Sequence, residues 1–229
     1  MFYHNRLKNI AAGDKVLEIG PGISPYPRSD VFLELKLESD EEYARQFGQR
    51  GKLETDKKVV FYDGQKFPFA DKEFDYIICS HVLEHVPDVD AFLSEIFRTG
   101  KKGYFEYPLI TYEYLFNYDV HLQFLCWDGE KLLYKKKNTT SLNEFRPVQD
   151  FFCRTVEKKF DTYFKKIPEF FIQGFEWDKP FPAEKSDDLE KFIVKDEIPE
   201  LIILPENEYS IGQLTKAVLK KITRKCLGE

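Results

Sequence analysis

The sequence predicts an α/β protein built on a parallel sheet with covered faces. Two patterns and one magnitude carry that prediction. Through residues 15–107, short apolar runs of strand length alternate with segments whose apolar residues recur at helical spacing. The first run, Val16-Leu17-Glu18-Ile19, leads straight into Gly20-Pro21-Gly22, a tight turn that lets a ligand approach the backbone at the edge of an open sheet. With 229 residues, of which 42% are apolar, the chain can bury one sizeable core. A single domain with an elaboration is favoured over two independent domains.

Strands are predicted at 15–19, 31–35, 58–62, 74–80 and 103–107. A short helix is predicted at 40–48. A longer one at 88–99 places Val89, Phe92, Leu93, Ile96 and Phe97 on one side, behind an Asp88 able to cap it. The link between the first two strands holds Pro21, Pro25 and Pro27, so no long regular helix begins directly after Gly22. Beyond Pro108 the pattern changes, and residues 109–120 are rich in Tyr and Phe. Residues 121–127, Asp128-Gly129 and 130–136 read as a β-hairpin with a two-residue type I′ turn. A helix follows at 149–166, strands at 170–177 and 201–204, and a charged turn or short helix at 186–191. A basic amphipathic helix at 211–225 carries Ile211, Leu214, Val218 and Ile222 on its apolar face.

Composition excludes several classes. A net charge of −6 and a pI near 5.4 leave no electrostatic footprint for general nucleic-acid binding. Cys79, Cys126, Cys153 and Cys226 are far apart and include no CxxC pair. That argues against a disulfide framework and points to reduced thiols in a cytoplasmic protein. No apolar stretch reaches the roughly 18 residues of a membrane span, and residues 1–6 do not open a signal peptide.

Four features carry chemistry. Glu18 is an acid inside a buried strand, where an unpaired carboxylate is costly, so it needs a ligand or donor at the strand's carboxyl end. Beside it, Ile19, Gly20, Pro21 and Gly22 form a turn in which Gly20 and Gly22 let the backbone approach a ligand, and the amides that follow can donate to it. Glu34, at the end of the second strand, can accept hydrogen bonds from both hydroxyls of a ribose. Glu38 competes for that role because the register there is open. Asp63-Gly64-Gln65 follows the third strand and precedes Phe67-Pro68-Phe69, an acid beside an apolar wall that suits an adenine. Ser80-His81-Val82-Leu83-Glu84-His85 follows the fourth strand, and its histidines and glutamate suit acid–base work. No metal site is expected, because His-x-x-Glu-His brings no third ligand at a recognised spacing. Taken alone, each feature also has an ordinary reading: a plain turn, a solvated edge acid, an Asp-Gly turn, a structural histidine.

The order of these features is specific. Leu-Glu-Ile-Gly-Pro-Gly, then an acid, then Asp-Gly-Gln with Phe-Pro-Phe, then Phe-Asp-Tyr-Ile and Ser-His-Val-Leu-Glu-His-Val resembles the class I S-adenosylmethionine-dependent methyltransferases. The resemblance is nearest to the type 11 group and covers residues 14–108. It implies a Rossmann-like, mostly parallel seven-stranded sheet with helices on both faces, and a C-terminal β-hairpin and helical elaboration over the acceptor side. Residues 1–108 would form the S-adenosylmethionine-binding core. Residues 109–229 would form the acceptor-site elaboration, with C-terminal strands and a helix completing the same domain. The implied cofactor is S-adenosyl-L-methionine. Carried over by position, Glu18, Gly20 and Gly22, with Ile19 and Pro21 between and beside them, cradle its amino-acid end. Glu34 matches the ribose-binding acid, and Asp63, with Gly64 and Gln65, the position contacting adenine. Ser80 and His81 match the end of the fourth strand, near the sulfonium and the acceptor. His85 matches a histidine whose role varies between members. The chain departs from the family after Gly22, where Ile23, Ser24 and Pro25 replace a third small residue and a full helix.

The expected function is methyl transfer to a small-molecule or glycan-type acceptor, on O or N. A hydroxyl or amine acceptor can need a base, for which His81, His85 and His121 are the candidates. Tyr107, Tyr112 and Tyr114 could line the acceptor pocket. Two rival classes share some of the pattern. A nicotinamide-dependent oxidoreductase would use the same turn and ribose acid, but Pro25 stands where GxGxxG needs a small residue. A non-catalytic S-adenosylmethionine-binding scaffold would use the basic tail helix for docking.

Overall fold

The computed structural model describes residues 3–37, 39, 42, 53–155 and 168–193, all within one compact unit, Met1–Glu197. Glu38, most of the helix expected at 40–48, the 156–166 part of the helix expected at 149–166, the strand expected at 201–204 and the helix expected at 211–225 lie outside the described residues.

The core is a sheet of six strands: β1 (Val16–Ile19), β2 (Val31–Leu35), β3 (Lys58–Tyr62), β4 (Phe74–Ser80), β5 (Gly100–Pro108) and β8 (Ile172–Trp177). Their spatial order is β3-β2-β1-β4-β5-β8. The first five run parallel, with Leu17 of β1 paired to Val31 on one side and Ile77 on the other. The sixth, β8, closes the β5 edge antiparallel. A seventh strand is expected from the family resemblance; among the described residues the sheet has six. The reason is where the chain goes next. After β8 it enters β9 (Ala183–Lys185), which pairs with β7 (Leu132–Lys136) in a second, three-stranded sheet that also holds β6 (Gln123–Trp127), order β6-β7-β9.

Each sheet face is covered by different means. Leu17, Ile19, Leu33, Ile77, Cys79 and Phe105 point to the face on which helix α1 (Val89–Thr99) lays Val89, Phe92, Leu93 and Ile96. Strand alternation sends Val16, Tyr76, Ile78 and Tyr104 to the opposite face. There the β1–β2 link forms turns and no helix, as its prolines require. Leu7 and Ile10 from the N-terminal segment and Tyr26 from that link supply the cover instead.

Helix α1 starts where the sequence places it. Asp88 caps it by accepting the Ala91 amide at 3.0 Å. Asp88→Ala is expected to cost about 1 kcal/mol, read as a fall of about 2–4 °C in thermal midpoint. An unchanged midpoint would show that the cap contributes nothing.

The hairpin joins β6 (Gln123–Trp127) to β7 in antiparallel register, but its connection differs from the expected type I′ turn. It spans four residues. Asp128 Oδ1 accepts the amides of Glu130 and Lys131, both at 2.9 Å, and the Asp128 amide donates to the Lys131 carbonyl at 3.2 Å. The side-chain bonds of Asp128 thus organise a wider loop. Residues 110–116, unassigned from sequence, form helix α2 (Ile110–Phe116). The expected helix at 149–166 begins earlier, and α3 is described as Arg146–Thr155.

The small sheet packs on the large one. Leu125 and Leu132 join the core that holds Phe105 and Tyr107, and Trp127 stacks on Phe175 at 4.3 Å. Gln173 of β8 pins them together. Its Oε1 accepts the Trp127 amide at 2.7 Å and the Tyr107 hydroxyl at 2.9 Å, and its Nε2 donates to the Trp127 carbonyl. No helix among the described residues is long and apolar enough to cross a membrane.

Candidate active site at the carboxyl edge of the sheet

Strand order reverses between β1 and β4, and at such a reversal the two following loops part to leave a crevice at the strands' carboxyl ends. The loops after β1 and β4 meet there. Gly20 has φ +58°, its amide donates to the Leu33 carbonyl at 2.9 Å, and a Cβ on it would stand 2.6 Å from Val82 Cγ2. The turn needs glycine for conformation and for close approach together. Gly22, also at φ +58°, is different: a Cβ there would meet nothing within 4 Å. Open space lies over this second glycine.

Glu18 meets the proline-rich link. Its Oε2 accepts the Tyr26 amide at 2.8 Å and the Ser29 hydroxyl at 2.6 Å. Burial pushes the carboxyl up, and these two bonds pull it part of the way back. Glu34 is the last residue but one of β2 and is 8% exposed. Among the described residues no side chain donates to it. Burial pushes its carboxyl up to about 7, with the Leu35 amide acting weakly the other way. Asp63 and Gln65 are exposed on the loop after β3, where Asp63 Oδ1 accepts the Gln65 amide at 3.1 Å across Gly64. The apolar wall expected beside them is part of the core. Phe67 packs edge-on against Tyr62 and Phe92, and Phe69 against Phe74.

His81 follows β4 with φ +56°, a left-handed conformation that few non-glycine residues adopt. Its ring lies between two buried carboxylates: Nδ1 is 3.3 Å from Glu84 Oε1, and Nε2 is 3.3 Å from Glu106 Oε1. Burial alone would lower the His81 pKa, but the two acids more than offset it and raise it. Glu106, inside β5, also accepts from Ser80 Oγ at 3.2 Å and from the Tyr104 hydroxyl at 2.6 Å. Glu84 is fully buried. Burial would push it up, yet the neighbouring histidines, His81 foremost, hold it at about 2. It is therefore an anion, and neither of its oxygens accepts an aligned hydrogen bond.

The segment after α2 is stitched to this motif. The Leu122 amide donates to the Glu84 carbonyl at 2.6 Å, His85 Nδ1 contacts the Val120 carbonyl at 3.0 Å, and Gln123 Nε2 donates to the Val86 carbonyl at 3.1 Å. These contacts bring His121 beside His85, with ring centroids 4.7 Å apart and planes at 89°. His121 Nδ1 lies 2.5 Å from Glu113 Oε1, and Glu113 Oε2 takes Lys137 Nζ at 2.6 Å. Burial lowers the His85 pKa.

All three candidate histidines thus come together. Ser80 and Gly20 lie at the same sheet edge, while Asp63 sits farther out, beyond β2. Tyr107 is core, its hydroxyl spent on Gln173. Sequence reasoning did not single out Glu106 or Glu113. Glu106 carried the same signal as Glu18, an acid within a buried strand. Glu113 carried none, because residues 109–120 show no readable period.

Residues 34–105 match the family model described as a methyltransferase domain. The match begins at Glu34 and leaves out Val16 to Gly22, the part that the strand order and the glycine turn supply. Over these residues, under a third of the chain, the protein is similar to a methyltransferase domain. Similar solved structures include a protein from Pyrococcus horikoshii OT3, with 20% identity over 44% of this chain and 52% of that one and a TM-score of 0.33. Another is an S-adenosylmethionine-dependent methyltransferase from Mesorhizobium loti, with 16% identity, 58% and 61% coverage and a TM-score of 0.35. A third is an S-adenosylmethionine-dependent methyltransferase, possible histamine N-methyltransferase, from Thermotoga maritima, with 19% identity, 46% and 49% coverage and a TM-score of 0.32. The chain spans about half the length of the first of these. Among curated proteins no match was found.

Proposed function

We propose that the chain is an S-adenosylmethionine-dependent methyltransferase acting on a hydroxyl- or amine-bearing small-molecule or glycan-type acceptor. In this reading residues 1–108 hold the donor and residues 109–229 shape the acceptor side. The observation that carries it is the pairing, among the described residues, of open space over Gly22 with a buried Glu34 carboxylate to which no side chain donates. A ribose would meet the second while the amino-acid end occupies the first. Glu18, Ile19, Gly20, Pro21 and Gly22 would hold that end, with Glu18 keeping Oε1 for it while Oε2 fixes the loop. Asp63, Gly64 and Gln65 would take the adenine edge, and Ser80 and His81 would flank the reacting centre.

The donor supplies a methyl group as an electrophile, the electron pair of the breaking C–S bond staying on sulfur. The chain's own task is to align the acceptor with it and to exclude water. His85 and His121 each spend Nδ1 on an acceptor, a carbonyl and a carboxylate, so each presents Nε2 as a lone pair toward the site. The cavity beside His121 has a mixed lining, with Pro87, Leu122 and Leu142 beside Asp119, Lys137 and Asn138, which suits an acceptor with both apolar and hydroxyl-bearing faces. Isothermal titration with S-adenosylhomocysteine tests the donor site: stoichiometric binding is expected, and a folded protein that takes up none would sink the reading.

A further inference from the structure

We infer that Glu84, His85 and His121 form a binding site for one divalent first-row transition ion. The potential ligand atoms of these three residues all lie within 4.8 Å of one another. Metal bonds of about 2.0–2.2 Å place donors about 3.4 Å apart, a closure that side-chain rotations supply.

Three features make this a built site. The first is the Glu84 carboxylate, fully buried, with neither oxygen accepting an aligned hydrogen bond. His81 approaches Oε1 at 3.3 Å, but it stands at the same distance from Glu106 and is shared between them. A buried carboxylate whose neighbour is shared in this way is expensive, and a cation offsets that cost.

The second is the orientation of the histidines. A ligating histidine characteristically anchors its other ring nitrogen on a carbonyl or carboxylate, which sets the tautomer and leaves the free nitrogen basic. Both do so here: His85 Nδ1 on the Val120 carbonyl, and His121 Nδ1 on Glu113, itself held by Lys137.

The third is rigidity. The Leu122 amide bonded to the Glu84 carbonyl locks the strand-end motif to the segment bearing His121. The third ligand missing from the local spacing therefore arrives from far along the chain.

Two imidazoles and one carboxylate suit zinc, iron or cobalt, whereas magnesium and calcium prefer oxygen alone. Three protein ligands leave a position open for water or for an acceptor oxygen; only that last use rests on the methyltransferase reading.

The test takes the full chain, stripped with a chelator, and titrates Zn2+ by calorimetry and Co2+ by visible absorption. One ion per chain is expected. Glu84→Gln and His121→Asn should each weaken binding by more than the ~10–100-fold expected for losing an outer partner, and Glu113→Gln should fall within that range. His4→Asn should bind as wild type. Zn2+ should raise the thermal midpoint of wild type and of neither ligand variant. Should Glu84→Gln fail to fold, His121→Asn, at a ring still 11% exposed, carries the comparison. A folded, stripped protein that takes up no ion overturns the inference, as do ligand variants that bind like wild type. S-adenosylhomocysteine is titrated in parallel. If it binds and no metal does, the metal site is wrong and the methyltransferase reading stands; if metal binds and it does not, the reverse holds.

Discussion

Glu34→Gln will make the ligand-free protein more stable at pH 8 and, in the same step, weaken its hold on S-adenosylhomocysteine. The stability half follows from burial, which pushes the Glu34 carboxyl from an ordinary 4.5 up to about 7. Below pH 4.5 the group is neutral in both folded and unfolded chains, and stability is at its full value. As pH rises from 4.5 to about 7, the unfolded chain ionises first, and stability is progressively lost. Above about 7 the loss is complete and amounts to about 3 kcal/mol. Glutamine has no charge to desolvate, so its advantage is largest at pH 8 and vanishes near pH 4. The binding half runs the other way. An ionised carboxylate accepting two ribose hydroxyls contributes about 1.5–3 kcal/mol per bond, so the variant should bind about 100-fold more weakly or worse. Denaturant titrations at pH 4 and pH 8, with calorimetry at pH 8, read both halves. If the variant is no more stable than wild type at pH 8, the account of Glu34 as a preserved buried acid is wrong.

The second large effect separates two glycines that look alike in the sequence. Gly20 and Gly22 share φ +58°, where an alanine is strained by about 1–2 kcal/mol. At Gly20 the new Cβ would also stand 2.6 Å from Val82 Cγ2, and overpacking of that kind adds about 1–3 kcal/mol. Gly20→Ala should therefore cost about 3 kcal/mol or more. It should also disturb the loop next to His81, whose own φ is +56°. Gly22→Ala should cost only the strain, because nothing lies within 4 Å, yet its methyl would occupy the space assigned to the donor. Urea unfolding and S-adenosylhomocysteine titration of both variants give the contrast: the larger loss of stability at Gly20, and at Gly22 a loss of affinity with only the smaller cost of strain. Equal unfolding midpoints for the two would remove the argument for close approach at Gly20.

Much of the first half of the chain was legible in the sequence because its signals are local. The strand starting at Val16 and the central strand Phe74–Ser80 follow from apolar runs. The absence of a helix after Gly22 follows from three prolines, and the start of α1 from Asp88. The same locality explains the misses. The hairpin loop widened because Asp128 organises its own amides, a bond that competes with the turn type a dipeptide suggests. Among the described residues the sheet has six strands, and the segment that follows β8, through β9, pairs into a second sheet, a choice made by packing.

The loops at the carboxyl edge of the sheet show the division most sharply. The run from His81 to His85 determined by itself that two imidazoles and a carboxylate follow a buried strand, and the acid within Val16–Ile19 determined that a polar partner is needed there. Tertiary structure alone decided what each group meets. Glu18 meets Ser29 and the Tyr26 amide; His81 stands between Glu84 and Glu106; His121 is carried to His85 by the bond from Leu122 to Glu84. The physical reason is range. Strand and turn propensities act over a few residues, whereas the partners of buried charges are set by whichever segments the core brings within 3–4 Å, and in this chain some of those segments, Glu106 against His81 and Val120 against His85, are distant in sequence.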